Sequence, residues 1–155
     1  MRAVLRNVAI ALGSNLGDGR GHLDFAVARL RELLGDVRVS RFIETAPVGV
    51  GAQPVFLNGV VVGTARGTPR QLLDALLAIE RSRGRERPFA GAPRTLDLDL
   101  ILFGDQIVDV PGLQVPHPRF RERRFVLEPL AEIAPDMIDP MTGRTVLELL
   151  RQRPA

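Results

Sequence analysis

The alternation of apolar and polar residues predicts four main strands in this chain. Residues 7–12 and 56–64 form largely apolar runs of strand length, whereas residues 37–45 alternate with a period of two. Residues 96–102 also alternate, because leucine occupies every even position of that stretch. A short additional strand is expected at 105–108.

Helical periodicity appears between the predicted strands. Apolar residues recur at the helical period from 23 to 34, and Gly35 is placed to end that helix in the left-handed conformation. Residues 68–71, Thr-Pro-Arg-Gln, have the sequence of a capping box with proline at the first helical position. Residues 129–136 predict a short apolar helix, and residues 145–150 predict a second capping-box helix.

The order strand, helix, strand, strand, helix, strand predicts the α+β fold class. This order is typical of a ferredoxin-like βαββαβ sandwich, in which an antiparallel sheet has helices on one face and a ligand-accessible second face. The last helices would form a C-terminal helical extension with a packing role. A length of 155 residues suits one domain, and we expect residues 1–155 to form it.

Two aspartates on the fourth predicted strand require an explanation. Asp97 and Asp99 fall on one face, opposite the leucines, and lie only about 6.6 Å apart along a strand. At an effective dielectric constant near 20 their carboxylates would repel by roughly 2.5 kcal/mol. An arginine or a divalent cation such as Mg²⁺ would relieve this repulsion. The spacing alone leaves open an edge strand with two solvated aspartates.

The arginines matter more by their position than by their number. All 21 basic residues are Arg and the net charge is only +3, so the high isoelectric point reflects the lack of Lys, Tyr and Cys. Arginines cluster at 81–94 and at 119–124, on both sides of the aspartate strand. This arrangement is expected around a polyphosphate with its metal, and a solvated surface is the alternative for either cluster.

Composition excludes several functional classes. No apolar run approaches 18 residues and no signal sequence precedes the first strand, so we expect a cytoplasmic protein without a membrane partner. The absence of cysteine excludes disulfides, a thiolate nucleophile and cysteine-type zinc sites. An RNA-binding sheet would display aromatic residues on a basic face. Because the chain has no Tyr or Trp and carries a diacid there, we expect no nucleic-acid partner.

Three further features carry candidate chemistry. Phe56 and Asn58 share one face of a strand, where a ring and an amide could stack on and pair with a flat heterocycle; an exposed Asn beside a core Phe is the alternative. Residues 85–93 resemble a mobile lid that brings arginines to phosphates, or else a simple connector. His117, held between prolines, could contact an anionic ligand, although a lone loop histidine is more often structural.

Five segments occur in a characteristic order along the chain: residues 13–18, 45–49, 53–58, 93–99 and 115–119. Together they resemble the hydroxymethyldihydropterin pyrophosphokinase family of folate biosynthesis, and the Arg-Thr-Leu-Asp-Leu-Asp sequence at 94–99 is the most specific part. The resemblance implies transfer of pyrophosphate from ATP to the hydroxymethyl group of 6-hydroxymethyl-7,8-dihydropterin, with release of AMP. It also implies small-molecule substrates, ATP and the reduced pterin, and we expect a monomer.

The resemblance implies a role for each candidate residue. Asp97 and Asp99 would hold two Mg²⁺ ions that bridge the ATP phosphates. The residues implied in ATP binding are Glu80, Arg85, Arg87, Arg94, His117 and Arg123. The residues implied in pterin binding are Thr45, Pro47, Val48, Phe56, Asn58 and Phe125. The catalytic set would be Asp97, Asp99, Arg85 and Arg94.

The chain departs from the family pattern in its lid. Gly91 or Ala92 stands where members often carry Trp, so lid closure would differ. The alternative function is that of a non-catalytic ferredoxin-like module that binds a metabolite or nucleotide. Such a module would not need Phe56, Asn58 and Phe125 together.

Overall fold

The computed structural model describes residues 4–14, 18–45, 56–84 and 96–153. The main sheet contains strands that we number in chain order: β1 (Arg6–Ser14), β2 (Gly35–Val39), β3 (Ile43–Thr45), β4 (Phe56–Ala65) and β5 (Asp97–Phe103). They are arranged in the order β2-β4-β1-β5, β3 also pairs with β4, and all pairings are antiparallel. β5 therefore lies at an edge of the described sheet.

Four α-helices are described. They are α1 (Gly19–Leu33), α2 (Pro69–Gly84), α3 (Arg124–Ile133) and α4 (Val146–Gln152). A small hairpin, β6 (Val108–Val110) and β7 (Leu113–Val115), and a 3-10 turn at Phe120–Glu122 connect β5 to α3. The predicted ferredoxin-like fold with a C-terminal helical extension is confirmed. Among the described helices, none has the length and apolar character needed to cross a membrane.

Helices pack on both faces of the sheet, on the second face only in part. Val8, Ile10 and Leu12 of β1 belong to the apolar layer that includes buried residues of α1 and α2. The intervening Ala9 and Ala11 belong to a second layer that includes residues of α3 and α4. The extension therefore has the packing role expected of it, but the second face is not wholly open to ligands as predicted. The apolar faces of α3 and α4 cover part of it because they need a partner surface.

The end of α1 differs from the prediction. Gly35 was expected to end the helix in the left-handed conformation, but Leu34 already leaves the helix with φ −115° and ψ 156°, and Gly35 begins β2. Its role is one of space, because a Cβ at this position would lie 2.6 Å from Oγ1 of Thr64 on β4. At the other end of the helix, Oδ1 of Asp18 accepts a hydrogen bond from the Gly21 backbone at 2.9 Å.

Two predicted strands were wrong in their extent. The strand expected at 37–45 is divided into β2 and β3 around buried Ser40, whose Oγ accepts a hydrogen bond from the Val60 backbone at 2.9 Å. The strand expected at 105–108 begins only at Val108, because Gly104, at φ 56°, forms a turn after β5. The apolar helix expected at 129–136 is α3, which begins earlier, at Arg124.

Both capping boxes were predicted correctly. Thr68 Oγ1 accepts from the Gln71 backbone at 3.1 Å, and the Gln71 side chain accepts from the Thr68 backbone at 2.9 Å. At α4, Thr145 and Glu148 make the equivalent reciprocal pair. These bonds satisfy backbone N–H groups that have no partner within the helix.

Candidate active site

A cavity of ≈ 650 Å³ lies on the face of the sheet that carries α3. Its walls combine the ends of β1, β4 and β5 with β3, the residues after β7 and the start of α3. The lining residues are Ala11, Leu12, Gly13, Thr45, Phe56, Asn58, Gly59, Asp97, Asp99, Arg119, Glu122, Arg123, Phe125 and Val126. The cavity thus brings together predicted site residues that lie up to 80 positions apart in the sequence (Thr45 to Phe125).

The two aspartates of β5 point to this cavity. Leu98 and Leu100 are buried in the layer under α1 and α2, whereas Asp97 and Asp99 line the cavity on the other face. The predicted shared face of the aspartates is confirmed. On β1 the residues paired with Asp97 and Asp99 are Gly13 and Ala11, which carry almost no side chain. The space above the carboxylates is therefore left open by the neighbouring strand.

Glu80 of α2 fixes the strand that carries the aspartates. Its Oε2 accepts a hydrogen bond from the backbone N–H of Leu98 at 2.6 Å. Within the described sheet β5 is an edge strand, so no described strand bonds this N–H on that side. A charge-assisted bond at this point holds the backbone between Asp97 and Asp99 in place. Glu80, predicted to contact ATP, is therefore placed where it can orient the carboxylates.

A ring and an amide lie at the opposite wall. Asn58 is buried, and its Nδ2 donates a hydrogen bond to Oγ1 of Thr45 at 2.7 Å. Its amide oxygen lies beside Gly13, where a Cβ would be only 3.3 Å away. Phe56 lines the same cavity, as does Phe125 from α3, with 38% of its surface exposed. Two rings and an oriented amide form the surroundings that a flat polar heterocycle requires.

Arg123 lies close to Asp99 without neutralising it fully. Its Nη1 is 4.0 Å from Oδ2 of Asp99, and 47% of the Asp99 side chain remains exposed. An ion pair at this distance and exposure is weak, so the carboxylate keeps room for another cation. The Arg123 guanidinium also lies 5.8 Å from the ring centre of Phe125. Arg123 therefore does not form a close ion pair with Asp99 that would keep a metal ion away from this carboxylate.

Two charged residues of the cavity were not among the predicted site residues. Arg119 and Glu122 both line the cavity, and Arg119 Nε lies 3.9 Å from Oε2 of Glu122. Arg119 belongs to the arginine cluster at 119–124, so a positive charge was expected near the aspartate strand, but a place in the cavity wall was not. Nothing in the spacing distinguishes Glu122 from an exposed acidic residue.

His117 faces a separate, smaller pocket of ≈ 220 Å³ at the edge of β5. Asp99 lines both this pocket and the larger cavity. The Nδ1 of His117 accepts a hydrogen bond from the Arg119 backbone at 3.1 Å, so the neutral ring carries its proton on Nε2. Burial lowers the pKa of His117, and Arg123 and Arg119 lower it further, against the raising effect of Asp99. The ring is therefore a neutral donor near pH 7.

Acidification is expected to destabilise the fold through His117. Its folded-state pKa lies below 6.5, so the unfolded chain binds a proton more readily. Stability should thus fall as the pH drops from about 6.5 towards the folded-state pKa, with no contribution above that window. Urea denaturation between pH 8 and pH 5 should show a smaller decrease for His117→Gln than for the unsubstituted chain. Equal decreases in both proteins would contradict this expectation.

Several predicted residues lie outside the described residues, namely Pro47, Val48, Arg85, Arg87 and Arg94, and with them the predicted lid. Over the ranges that are described, no group of three or more His, Cys, Asp or Glu side chains could hold a metal ion. Asp97 and Asp99 are therefore a pair of oxygen donors rather than part of a larger described cluster.

Comparison with known proteins agrees with these features. The family model described as 7,8-dihydro-6-hydroxymethylpterin-pyrophosphokinase matches residues 9–135. A 2-amino-4-hydroxy-6-hydroxymethyldihydropteridine pyrophosphokinase of Pseudomonas aeruginosa is 44% identical, covering 97% of this chain and 94% of the relative. The enzyme of the same name from Bacillus subtilis is 45% identical over 83% of this chain and 79% of the relative.

The fold recurs in solved structures. The wild-type HPPK-DHPS crystal structure from Plasmodium falciparum superposes with a TM-score of 0.76 at 13% identity, covering 97% of this chain and 45% of that one. At this identity the likeness concerns the fold alone. The sequence relatives and the family match carry the assignment further: this chain belongs to the 7,8-dihydro-6-hydroxymethylpterin-pyrophosphokinase family.

Proposed function

We propose how this chain carries out its family's reaction, the transfer of pyrophosphate from ATP to the hydroxymethyl group of 6-hydroxymethyl-7,8-dihydropterin in folate biosynthesis. One observation carries the proposal: two pockets of different character meet at Asp99. Transfer between two substrates requires their reacting atoms to be held within near contact. We assign the larger cavity to the pterin and the smaller pocket to the nucleotide.

The larger cavity suits the pterin. Phe56 and Phe125 supply the rings for stacking, and Asn58 supplies a buried amide already oriented by Thr45. The edge of a pterin carries alternating donors and acceptors, which an amide can match in both directions. The predicted backbone contacts of Pro47 and Val48 would complete this edge recognition.

The donor set suits Mg²⁺. Two carboxylates on one stiff strand, both lining the cavity, are the number of protein ligands that Mg²⁺ usually takes beside water and substrate phosphates. We assign Asp97 and Asp99 to two Mg²⁺ ions, as the family resemblance implies. When bound, the metal neutralises phosphate charge and lowers the pKa of the substrate hydroxyl.

The smaller pocket suits the nucleotide. Its lining combines the apolar side chains of Leu73, Leu98 and Leu113 with polar groups that include His117 and Asp99. A base can lie on the apolar walls while the phosphates extend along β5 towards the aspartates. The Nε2–H of His117 is available as a neutral donor for a phosphate oxygen, and Arg123 adds positive charge on the cavity side.

The reaction then needs little from the protein beyond placement and charge. The pterin hydroxyl oxygen attacks the β-phosphorus of ATP, the bond from that phosphorus to the oxygen of the α-phosphate breaks, and AMP leaves. The hydroxyl proton passes to a carboxylate oxygen of Asp97. Arg123 stabilises charge on the transferred group. Arg85 and Arg87 keep their predicted role of adding charge when the lid closes, and Arg94 keeps its predicted contact with ATP.

The remaining assignments rest on the sequence. We infer that residues 1–155 form a single pyrophosphokinase domain that acts as a monomer in the cytoplasm. Both apolar layers share one sheet, which supports one folding unit over the described residues.

The two-pocket assignment predicts opposite effects of two substitutions. Phe125→Ala should raise KM for the pterin at least tenfold, since aromatic stacking contributes about 1 kcal/mol beyond the buried area, and leave KM for ATP unchanged. Leu73→Trp, which fills the smaller pocket, should raise KM for ATP and leave that for the pterin. Pterin-dependent release of AMP from ATP is the measurement. If Phe125→Ala changed KM for ATP and Leu73→Trp changed KM for the pterin, the assignment of the two pockets would have to be reversed. Formation of ADP instead of AMP would contradict the proposed pyrophosphate transfer.

A further inference from the structure

Asp139 is a fully buried carboxylate outside the cavity. It lies in the connection between α3 and α4 and has no exposed surface. The Arg121 guanidinium donates two hydrogen bonds to this carboxylate, from Nε at 2.5 Å and from Nη2 at 2.8 Å. The Met141 backbone and the Thr142 hydroxyl donate two more, at 3.0 and 2.8 Å. Burial acts to raise the pKa of Asp139, but these hydrogen bonds outweigh it and hold the pKa below 3.8. The carboxylate is therefore charged and fully coordinated.

Arg121 belongs to the segment that forms one wall of the cavity. It lies in the 3-10 turn Phe120–Glu122, whose N-cap residue, Arg119, makes no side-chain capping bond. Phe120 is fully buried in the layer under α3, and the Arg121 guanidinium lies 4.8 Å from its ring centre. By contrast, Arg119 and Glu122 line the cavity, as do Arg123 and Phe125.

A short turn of this kind has little intrinsic stability. A 3-10 helix of three residues makes few internal bonds, so contacts with other parts of the protein must set its orientation. Two such anchors are present: Phe120 in the core and Arg121 on Asp139. A bidentate arginine–carboxylate pair fixes direction as well as distance.

We propose that Asp139 and Arg121 are positioning residues, which orient the 3-10 turn so that Arg123 points at Asp99 across the cavity. This inference rests on the proposed function, because it assumes that Arg123 serves catalysis. Neither residue of the pair lines the cavity, so any effect on turnover must act through the turn.

The test compares Asp139→Asn with the unsubstituted chain at a temperature where circular dichroism shows both to be folded. Asparagine keeps the volume but loses one acceptor for Arg121, and kcat/KM should fall about tenfold or more, since small misplacement of charged groups is costly. Thr68→Ala is the matched control, because it removes the capping bond of α2 and so lowers stability away from the turn. Unchanged kcat/KM in folded Asp139→Asn would overturn the proposal.

A double-mutant cycle separates positioning from general loss of stability. In an Arg123→Gln background, Asp139→Asn should lower kcat/KM by less than about twofold, because the group it positions is already absent. Additive effects of the two substitutions would overturn the proposal. If Asp139→Asn does not fold, Arg121→Lys, which keeps a cation opposite the carboxylate, takes its place in both comparisons. An Arg123→Gln variant with normal activity would instead refute the site assignment itself.

Discussion

Replacing Asp97 or Asp99 by asparagine is expected to lower kcat/KM by about three orders of magnitude while the fold is kept. The loss of several kcal/mol of charge stabilisation at the phosphates corresponds to about this factor. Both side chains line the open cavity rather than the core, and each amide retains the volume of the acid. Removing one of two neighbouring negative charges should leave the melting temperature equal or slightly higher, since the carboxylates repel each other.

The measurement is pterin-dependent AMP formation at several Mg²⁺ concentrations, with thermal unfolding in parallel. Asp105→Asn is the matched control, because Asp105 follows the far end of β5, is exposed and pairs only weakly with Arg6 at 3.0 Å. Its activity should stay at the unsubstituted level. Retained turnover in Asp97→Asn or Asp99→Asn, or a loss of folding in both, would show that the carboxylates serve the structure rather than the reaction.

The sequence predicted the fold class because its signals are local and agree with one another. The alternating leucines of 96–100 and the two capping boxes depend on residues within a few positions, and the structure has them as expected. Leu102 was wrongly placed on the same face, because a register shift against β1 turns it into the second layer together with Ile101. The division of the strand at 37–45 was missed because it depends on Ser40 bonding to Val60, a residue 20 positions away. Periodicity cannot reveal a contact of that kind.

In the candidate site, too, the features that depend on nearby residues were predicted and those that depend on distant contacts were not. The shared face of Asp97 and Asp99 follows from the strand period alone, and it was predicted correctly. The bond from Leu98 to Glu80 could not be predicted, since it requires the relative placement of α2 and the sheet edge. Arg119 and Glu122 were missed because a 3-10 turn has no clear sequence pattern.

Gly35 was interpreted incorrectly for a related reason. A glycine just after a helical pattern is usually read as its left-handed end, and that statistical preference is local. Here the close approach of β4 requires glycine at position 35, because Thr64 leaves no room for a side chain. The reason for this glycine is a tertiary contact.

Removing the amide of Asn58 is expected to reduce kcat/KM for the pterin about a hundredfold without changing KM for ATP. Asn58→Leu keeps a side chain of similar size but cannot bond to the pterin edge, and two lost hydrogen bonds of about 1.5 kcal/mol each give this factor. The bond from Nδ2 to Thr45 holds the amide in a fixed orientation, so its loss acts directly on recognition.

Thr45→Val provides the comparison that identifies orientation as the cause. Valine matches the shape of threonine but cannot accept the 2.7 Å bond from Asn58, so the amide is present but free to rotate. We expect a decrease of about fivefold, close to the value of one hydrogen bond. Isothermal titration with the pterin should give the same order of affinities, with the unsubstituted chain tightest and Asn58→Leu weakest. An effect of Asn58→Leu on ATP alone, or unchanged pterin affinity, would exclude this wall of the cavity as the pterin site.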